Sequence, residues 1–277
     1  MATRKPGRAR TGEPTGVRAL ERGLRLLEEL GSGEALSLSE LARRTELTPS
    51  TTYRLLETLR RRHFVDWDEH SGLWRIGLRA YQIGQAFCHP NSLSSLALEA
   101  MQRLVARVNE TVNLAVLDGA EAVYIQQVES RQMLRMFTQL GARVPLHCTG
   151  VGKVLLAWRS EEEVRQLLGP EPLAAFTSHT LTRVDAVLQE LARVRRLGYA
   201  IDREEREIGV RCLAAPVRDA TGRVVAALSL SAPAVRLPER RLAELAPVVL
   251  ETTRELSLRL GWQPEPAPLP VDQSSPT

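Results

Sequence analysis

Apolar residues in the first third of the chain recur at helical spacing. Val17, Leu20, Leu24, Leu27 and Leu30 stand three or four apart and predict an amphipathic helix, with Gly31 as its left-handed stop. A second helix is expected to open on Ser37. Glu40 follows three residues later, so hydroxyl and carboxylate can satisfy each other's backbone amides as a capping box, and the pattern ends near Thr45. A third begins with Thr48 as N-cap and Pro49 at the first helical position, where a missing N–H costs nothing. On a helical wheel Thr52, Leu55, Leu56 and Leu59 form one stripe. Ser50, Arg54, Glu57 and Arg61 face the other way, with Thr51 and Thr58 beside them. The stretch HFVDWDEHSGLWRIG then alternates around Ser71-Gly72 like a β-hairpin. Three helices and a hairpin describe a winged helix-turn-helix, whose third helix reads DNA through its polar stripe.

Residues 78–108 contain few strand formers and are expected to be helical, broken at His89-Pro90 and resuming from Ser92 or Ser94. The pattern then changes. TVNLAVL and AVYIQQVE flank Asp118-Gly119 as a hairpin, MLRMFTQL follows, and GVGKVLLAW reads as a helix. Another helix is expected from Arg183 to Leu197, stopped by Gly198; two strands flank Asp219 to Gly222, and a closing helix runs from about Pro238 to Leu260. Antiparallel strands with helices outside define an α+β sensor domain. Its expected core is Val112, Leu114, Val116, Val123, Ile125, Val154, Leu155, Val187, Leu191, Val217, Val225 and Leu228. The expected organisation is a disordered basic arm (1–15), the winged helix-turn-helix (16–77), a linker helix (78–95), the sensor domain (96–260) and a disordered Pro-rich tail (261–277).

Charge separates the two halves. Residues 1–80 hold 15 Lys+Arg against 11 Asp+Glu, a surplus of four, whereas residues 81–277 hold 22 of each. Arg43, Arg44, Arg54, Arg60, Arg61, Arg62 and Arg75 are the candidates for phosphate contact, which positions a protein on duplex DNA. Ser50, Thr51 and Arg54 are the candidates for base edges, with Thr48 and Tyr53 beside them. A solvated arginine face on a winged helix that binds protein is the competing explanation.

Composition bounds the rest. At 277 residues and 43% hydrophobic, the chain can bury about two cores. Cys88, Cys148 and Cys212 are too few and too scattered for a disulfide framework or a metal site, which suits a reducing cytoplasm, and neither metal nor cofactor is expected. No run of apolar residues approaches a membrane span, and the basic N-terminus lacks the apolar stretch of a signal peptide, so an intracellular protein is expected.

Together, the helix-turn-helix, GLWRIGLRAYQIG, LHCTGVGKVLLA and GYAIDREEREIGVRCLAAPVRDATGRVVAALSLSAPAVRL resemble the IclR family of bacterial transcriptional regulators along residues 16–260, in order and in spacing. Cys148 and Gly150-Val151 are variants where the family is loose. The resemblance implies a homodimer or dimer of dimers on a pseudo-palindromic DNA operator, a linker helix, and a GAF-like domain that binds a small effector. It also implies that Gly150, Val151, Asp202, Cys212, Ser229 and Ser231 line the effector cavity, with Met133, Met136, Val144 and Val210 as its apolar wall.

The residues support part of this independently. Thr149 opens a helix whose free N–H groups suit a carboxylate, and Gly150 permits close approach to the backbone. Ser229 and Ser231 share one face of a strand while Leu228 and Leu230 fill the other; alternate serines also suit a solvated face. GVGK is no phosphate loop, because His147 stands five residues before Gly152 and Val154 follows Lys153. Nothing requires Cys212 to meet His147 or His179 as a nucleophile pair, so an enzyme is not expected. Lys153, one of two lysines, reads as a surface cation. A small carboxylate-controlled repressor is the expectation; an activator, or a thiol redox switch at Cys148 or Cys212, are the alternatives.

Overall fold

The computed structural model describes residues 17–87 and 93–264. Its contacts divide the chain into two compact units that meet between residues 89 and 90. The N-terminal arm, most of the tail, Cys88 and the expected break at His89-Pro90 lie outside the described residues.

The first unit contains α1 (Arg18–Leu30), α2 (Leu38–Arg44), α3 (Pro49–Arg61), β1 (Val65–Asp68), β2 (Leu73–Ile76) and α4 (Leu78–Phe87). Ser37 and Glu40 form the capping box at the start of α2, and Thr48 caps α3 ahead of Pro49. Leu26, Leu30, Leu36, Leu41, Leu56, Val65 and Trp74 make the core. Leu36 bridges the wing by exchanging backbone hydrogen bonds with Trp74 at 2.9 and 2.8 Å, which ties the hairpin to the helices. Two expectations for α1 fail. Gly31 stays right-handed at φ −65°, because the chain makes a further tight turn fixed by the Ser32 hydroxyl on the Glu29 carbonyl; the reversal falls at Gly33, φ +89°. The apolar positions also split between two faces. Gly23, Leu26 and Leu30 are buried, while Val17, Leu20 and Leu24 are 68, 61 and 48% exposed.

The second unit runs through α5 (Leu93–Val108), β3 (Thr111–Asp118), β4 (Glu121–Val128), β5 (Arg143–Pro145), α6 (Gly150–Ala157), α7 (Glu161–Leu168), α8 (Val184–Leu197), β6 (Ala200–Arg203), β7 (Val210–Arg218), β8 (Val224–Pro233) and α9 (Glu239–Arg259). Six strands form one antiparallel sheet in the order β5-β4-β3-β8-β7-β6. α5 and α9 cover one face, over Val112, Leu114, Leu213, Leu228 and Leu230; α6 and α8 cover the other, over Ala115, Ala214 and Ala227. The expected hairpins and the left-handed stop at Gly198, φ +80°, are present. Strands β5 and β6 and helix α7 are additional. MLRMFTQL is irregular, with Met133 fully exposed. Although both faces of the sheet are covered, Val116, Val123, Ile125 and Val225 are only half-buried, and the buried β4 residues are Ala122 and Tyr124.

All eight residues of α6 are buried. That depth requires glycine. A Cβ on Gly152 would lie 2.3 Å from the Leu146 carbonyl oxygen and 2.4 Å from its Cα, whereas one on Gly150 would meet Ala214 Cβ at 3.3 Å. Gly152→Ala is therefore expected to destabilise the protein by about 1–3 kcal/mol or more, and Gly150→Ala by less, in denaturant unfolding. Equal, small effects would place the strain elsewhere.

Candidate functional site: a nucleic-acid interface and an internal cavity

In the first unit, α3 presents its polar stripe to solvent because Thr52 and Leu56 are buried beneath it. The Thr48 oxygen accepts the Thr51 amide at 3.4 Å, and its hydroxyl donates to Thr51 Oγ1 at 2.9 Å, so these two side chains shape the helix start. Ser50, Tyr53 and Arg54 are exposed on the first two turns. The arginines differ in their partners. Arg44 reaches Glu34 at 3.3 Å and Glu29 at 3.7 Å, and Arg60 is held by Glu57 in a two-pronged contact of 2.8 and 3.1 Å. Arg43, Arg54, Arg61, Arg62 and Arg75 are exposed, with no carboxylate in salt-bridge reach among the described residues. Arg61 and Arg62 line a cleft together with Arg79, which charge counting alone did not single out.

In the second unit a cavity of about 180 Å³ opens between α6, the sheet and the irregular segment before β5. Gly150, Val151, Asp202, Cys212, Ser229 and Ser231 line it, as do Met136, Val144 and Val210. Met133 does not: its segment turns it outward, while Met136 and Thr138 are half-buried in the lining and Phe137, largely exposed, stands at its rim. Tyr124, Thr149, Arg206 and Glu207 complete the lining and were not among the sequence candidates. Strand alternation explains the serines, since Leu228 and Leu230 point into the opposite core.

The polar groups are unequally satisfied. Ser231 Oγ accepts from Asn113 Nδ2 at 3.4 Å, and Thr149 donates to the Pro145 carbonyl at 2.8 Å while accepting the Gly152 amide at 3.1 Å. Ser229 Oγ is buried with no hydrogen-bond partner among the described residues, a costly state for a hydroxyl. Asp202 is 3% exposed and accepts the Glu205 amide at 2.8 Å; burial raises its pKa to about 7 against the help of that hydrogen bond. Arg206 holds its guanidinium 4.1 Å over the Phe176 ring.

Lys153 is the clearest departure from sequence reasoning. Rather than a surface cation, it is wholly buried, donating to the Ile201 carbonyl at 2.5 Å and Glu205 Oε1 at 2.6 Å. Burial raises both Cys148 and Cys212 to about 12, so neither supplies thiolate near neutral pH, which disfavours a redox switch at these positions. The His147 ring is taken up by the Ala174 carbonyl at 2.9 Å. Among the described residues no helix is long and apolar enough to cross a membrane.

A winged helix-turn-helix joined in one chain to an α+β domain is the arrangement of a DNA-binding regulator. Comparison with known proteins places it. Residues 19–69 match the IclR helix-turn-helix domain and residues 85–258 the bacterial transcriptional regulator IclR C-terminal domain. The HTH-type transcriptional repressor AllR of Escherichia coli K12 is 40% identical over 263 residues, 95% of this chain and 97% of that protein. The crystal structure of Thermotoga maritima IclR superposes with a TM-score of 0.74 at 30% identity, covering 89% of this chain and all of that one. An IclR homologue from Microbacterium hydrocarbonoxydans, solved with 4-hydroxybenzoate, gives 0.72 at 26% identity over 86% of this chain and 99% of its own. The chain belongs to the IclR family of bacterial transcriptional regulators.

The raised Asp202 pKa has a definite sign. Between the ordinary aspartate value and about 7 the folded state keeps a proton that the unfolded state loses, so this residue's contribution to stability falls as pH rises through that window. Asp202→Asn is expected to gain stability relative to wild type between pH 5 and pH 8 in thermal unfolding; a pH-independent difference would contradict the assignment.

Proposed function

We propose that this protein is a ligand-controlled repressor: two copies place α3 in successive major grooves of a pseudo-palindromic operator, and a small carboxylate in the sensor cavity alters that fit. The observation that carries the ligand reading is the unpartnered Ser229 hydroxyl, buried in a cavity that also holds Ser231, Asp202 and Arg206. The carboxylate class is supported by the start of α6, where Gly150 and Val151 line the cavity at a helix N-terminus, and by Arg206. It is further supported by the family member solved with 4-hydroxybenzoate, itself a carboxylate. Repression rather than activation follows the AllR relatives, which align over nearly the whole chain.

On DNA, Ser50, Tyr53 and Arg54 are assigned to base edges, Thr48 and Thr51 to the helix start that positions them, and Arg43, Arg44, Arg61, Arg62 and Arg75 to phosphates. Recognition helices of a dimer would stand about 34 Å apart, or a multiple of it. Effector and operator would be coupled by roughly 1–3 kcal/mol, felt equally in both directions.

Two measurements check this. In fluorescence anisotropy with duplexes from the protein's own promoter, Arg54→Ala should erase about 1–3 kcal/mol of preference at one operator position, whereas Arg61→Ala should weaken every duplex alike. Uniform loss for both contradicts the division of roles. In a thermal-shift screen of small carboxylates, a hit should be lost in Ser229→Ala/Ser231→Ala while operator affinity is kept; an unchanged shift in the double variant removes the cavity from the account.

A further inference from the structure

Turn 202–206 carries two cavity residues, Asp202 and Arg206, and is held from both sides. From outside, the Thr177 hydroxyl donates to the Glu204 carbonyl at 2.7 Å and the Thr180 hydroxyl to the Glu205 carbonyl at 2.6 Å. From inside, Lys153 projects from the first turn of α6 to Ile201 and Glu205. The same turn of α6 begins with Gly150 and Val151, so one ammonium group joins two walls of the cavity.

The choice of partner is informative. Lys153 pairs with Glu205 at 2.6 Å, and Glu190 of α8 stands at 3.6 Å, itself shared with Arg193 at 3.4 Å. Asp202 is left with the backbone amides of Glu205 and Arg206 and no counter-ion in salt-bridge reach among the described residues. Of the other groups around it, Arg206 is cationic, with its guanidinium held 4.1 Å over the Phe176 ring. Tyr124 of β4, Cys148 ahead of α6 and Cys212 of β7 have acidities suppressed by burial, and Glu205 is taken up by Lys153.

We propose that Lys153 is a positioning residue for anion recognition: by pairing with Glu205 instead of Asp202, it pins the turn to α6 and leaves the Asp202 carboxyl as a hydrogen-bond donor to the ligand. This rests on the carboxylate reading above and extends it. An anion entering above the midpoint of Asp202 brings a proton with it, which Asp202 takes from solvent, and its affinity falls as pH rises.

The test begins without any ligand. Full-length protein carrying 13C-labelled aspartate is titrated by NMR, with Asp202→Asn assigning the signal. In wild type the Asp202 carboxyl should titrate near 7. Lys153→Met removes the nearby positive charge and should move the midpoint up by about one pH unit or more; Glu205→Gln frees Lys153 for Asp202 and should move it down by a similar amount. A purely structural role would not produce opposite signs. A wild-type midpoint in the ordinary carboxylate range, or two variants that leave it unmoved or shift it the same way, overturns the proposal. Should Lys153→Met fail to fold, Glu205→Gln decides alone, a downward move supporting and no move overturning.

The second arm uses any carboxylate that binds in the thermal-shift screen. Calorimetry at pH 8 in buffers of different ionisation heat should report close to one proton taken up per site, lost in Asp202→Asn; binding with no proton uptake also overturns the proposal. If no carboxylate binds while the titrations behave as expected, the effector reading falls and the role of Lys153 in setting Asp202 stands.

Discussion

Helix α6 lies against the sheet without an intervening layer of large side chains. This closeness is possible because β3, β7 and β8 present Ala115, Ala214 and Ala227 to it and because Gly150 brings no Cβ against Ala214 and Cys212; Gly152 does the same against Leu146, in the connection ahead of the helix. Two consequences follow from the one constraint. The start of the helix reaches the edge of an internal cavity, and the same first turn carries a lysine into the protein interior. Small residues in the strands thus set where the helix start stands relative to the polar residues of the cavity.

A buried ammonium needs a partner, and the partner must come from a neighbouring element. Glu205 meets that need, and with it the turn that carries Asp202 and Arg206 is placed. Packing of α6, pairing of Lys153 and position of the turn therefore go together, while burial at that turn is what raises the pKa of Asp202. The first unit is organised differently. There the capping hydroxyls of Ser37 and Thr48 fix where two helices start, and burial of Thr52 and Leu56 decides which stripe of α3 faces outward.

Features with local causes were legible in the sequence. The Ser37–Glu40 box, the Thr48-Pro49 start, both hairpins and the stop at Gly198 each depend on a few neighbouring residues, and each is present. Ser229 and Ser231 were legible through strand alternation, and most of the cavity through the family resemblance. The failures lie where a distant partner decides. Nothing near Lys153 announces Glu205, 52 residues away. Val17, Leu20 and Leu24 fit a helical stripe yet remain exposed, since the core of that unit is already filled by Leu26 and Leu30. Met133 and Met136 are alike in composition, and only the path of an irregular segment sends one outward and one into the cavity.

On the proposed function, occupation of the cavity and binding of the operator exchange free energy. The most direct measurement is the dissociation constant of an identified carboxylate, taken by calorimetry on the free protein and again on the protein saturated with operator duplex. For a repressor released by its ligand, affinity should be weaker on DNA by roughly 5–150-fold, and the ligand should weaken operator binding by that same factor. Identical ligand affinities in the two states would contradict the central claim.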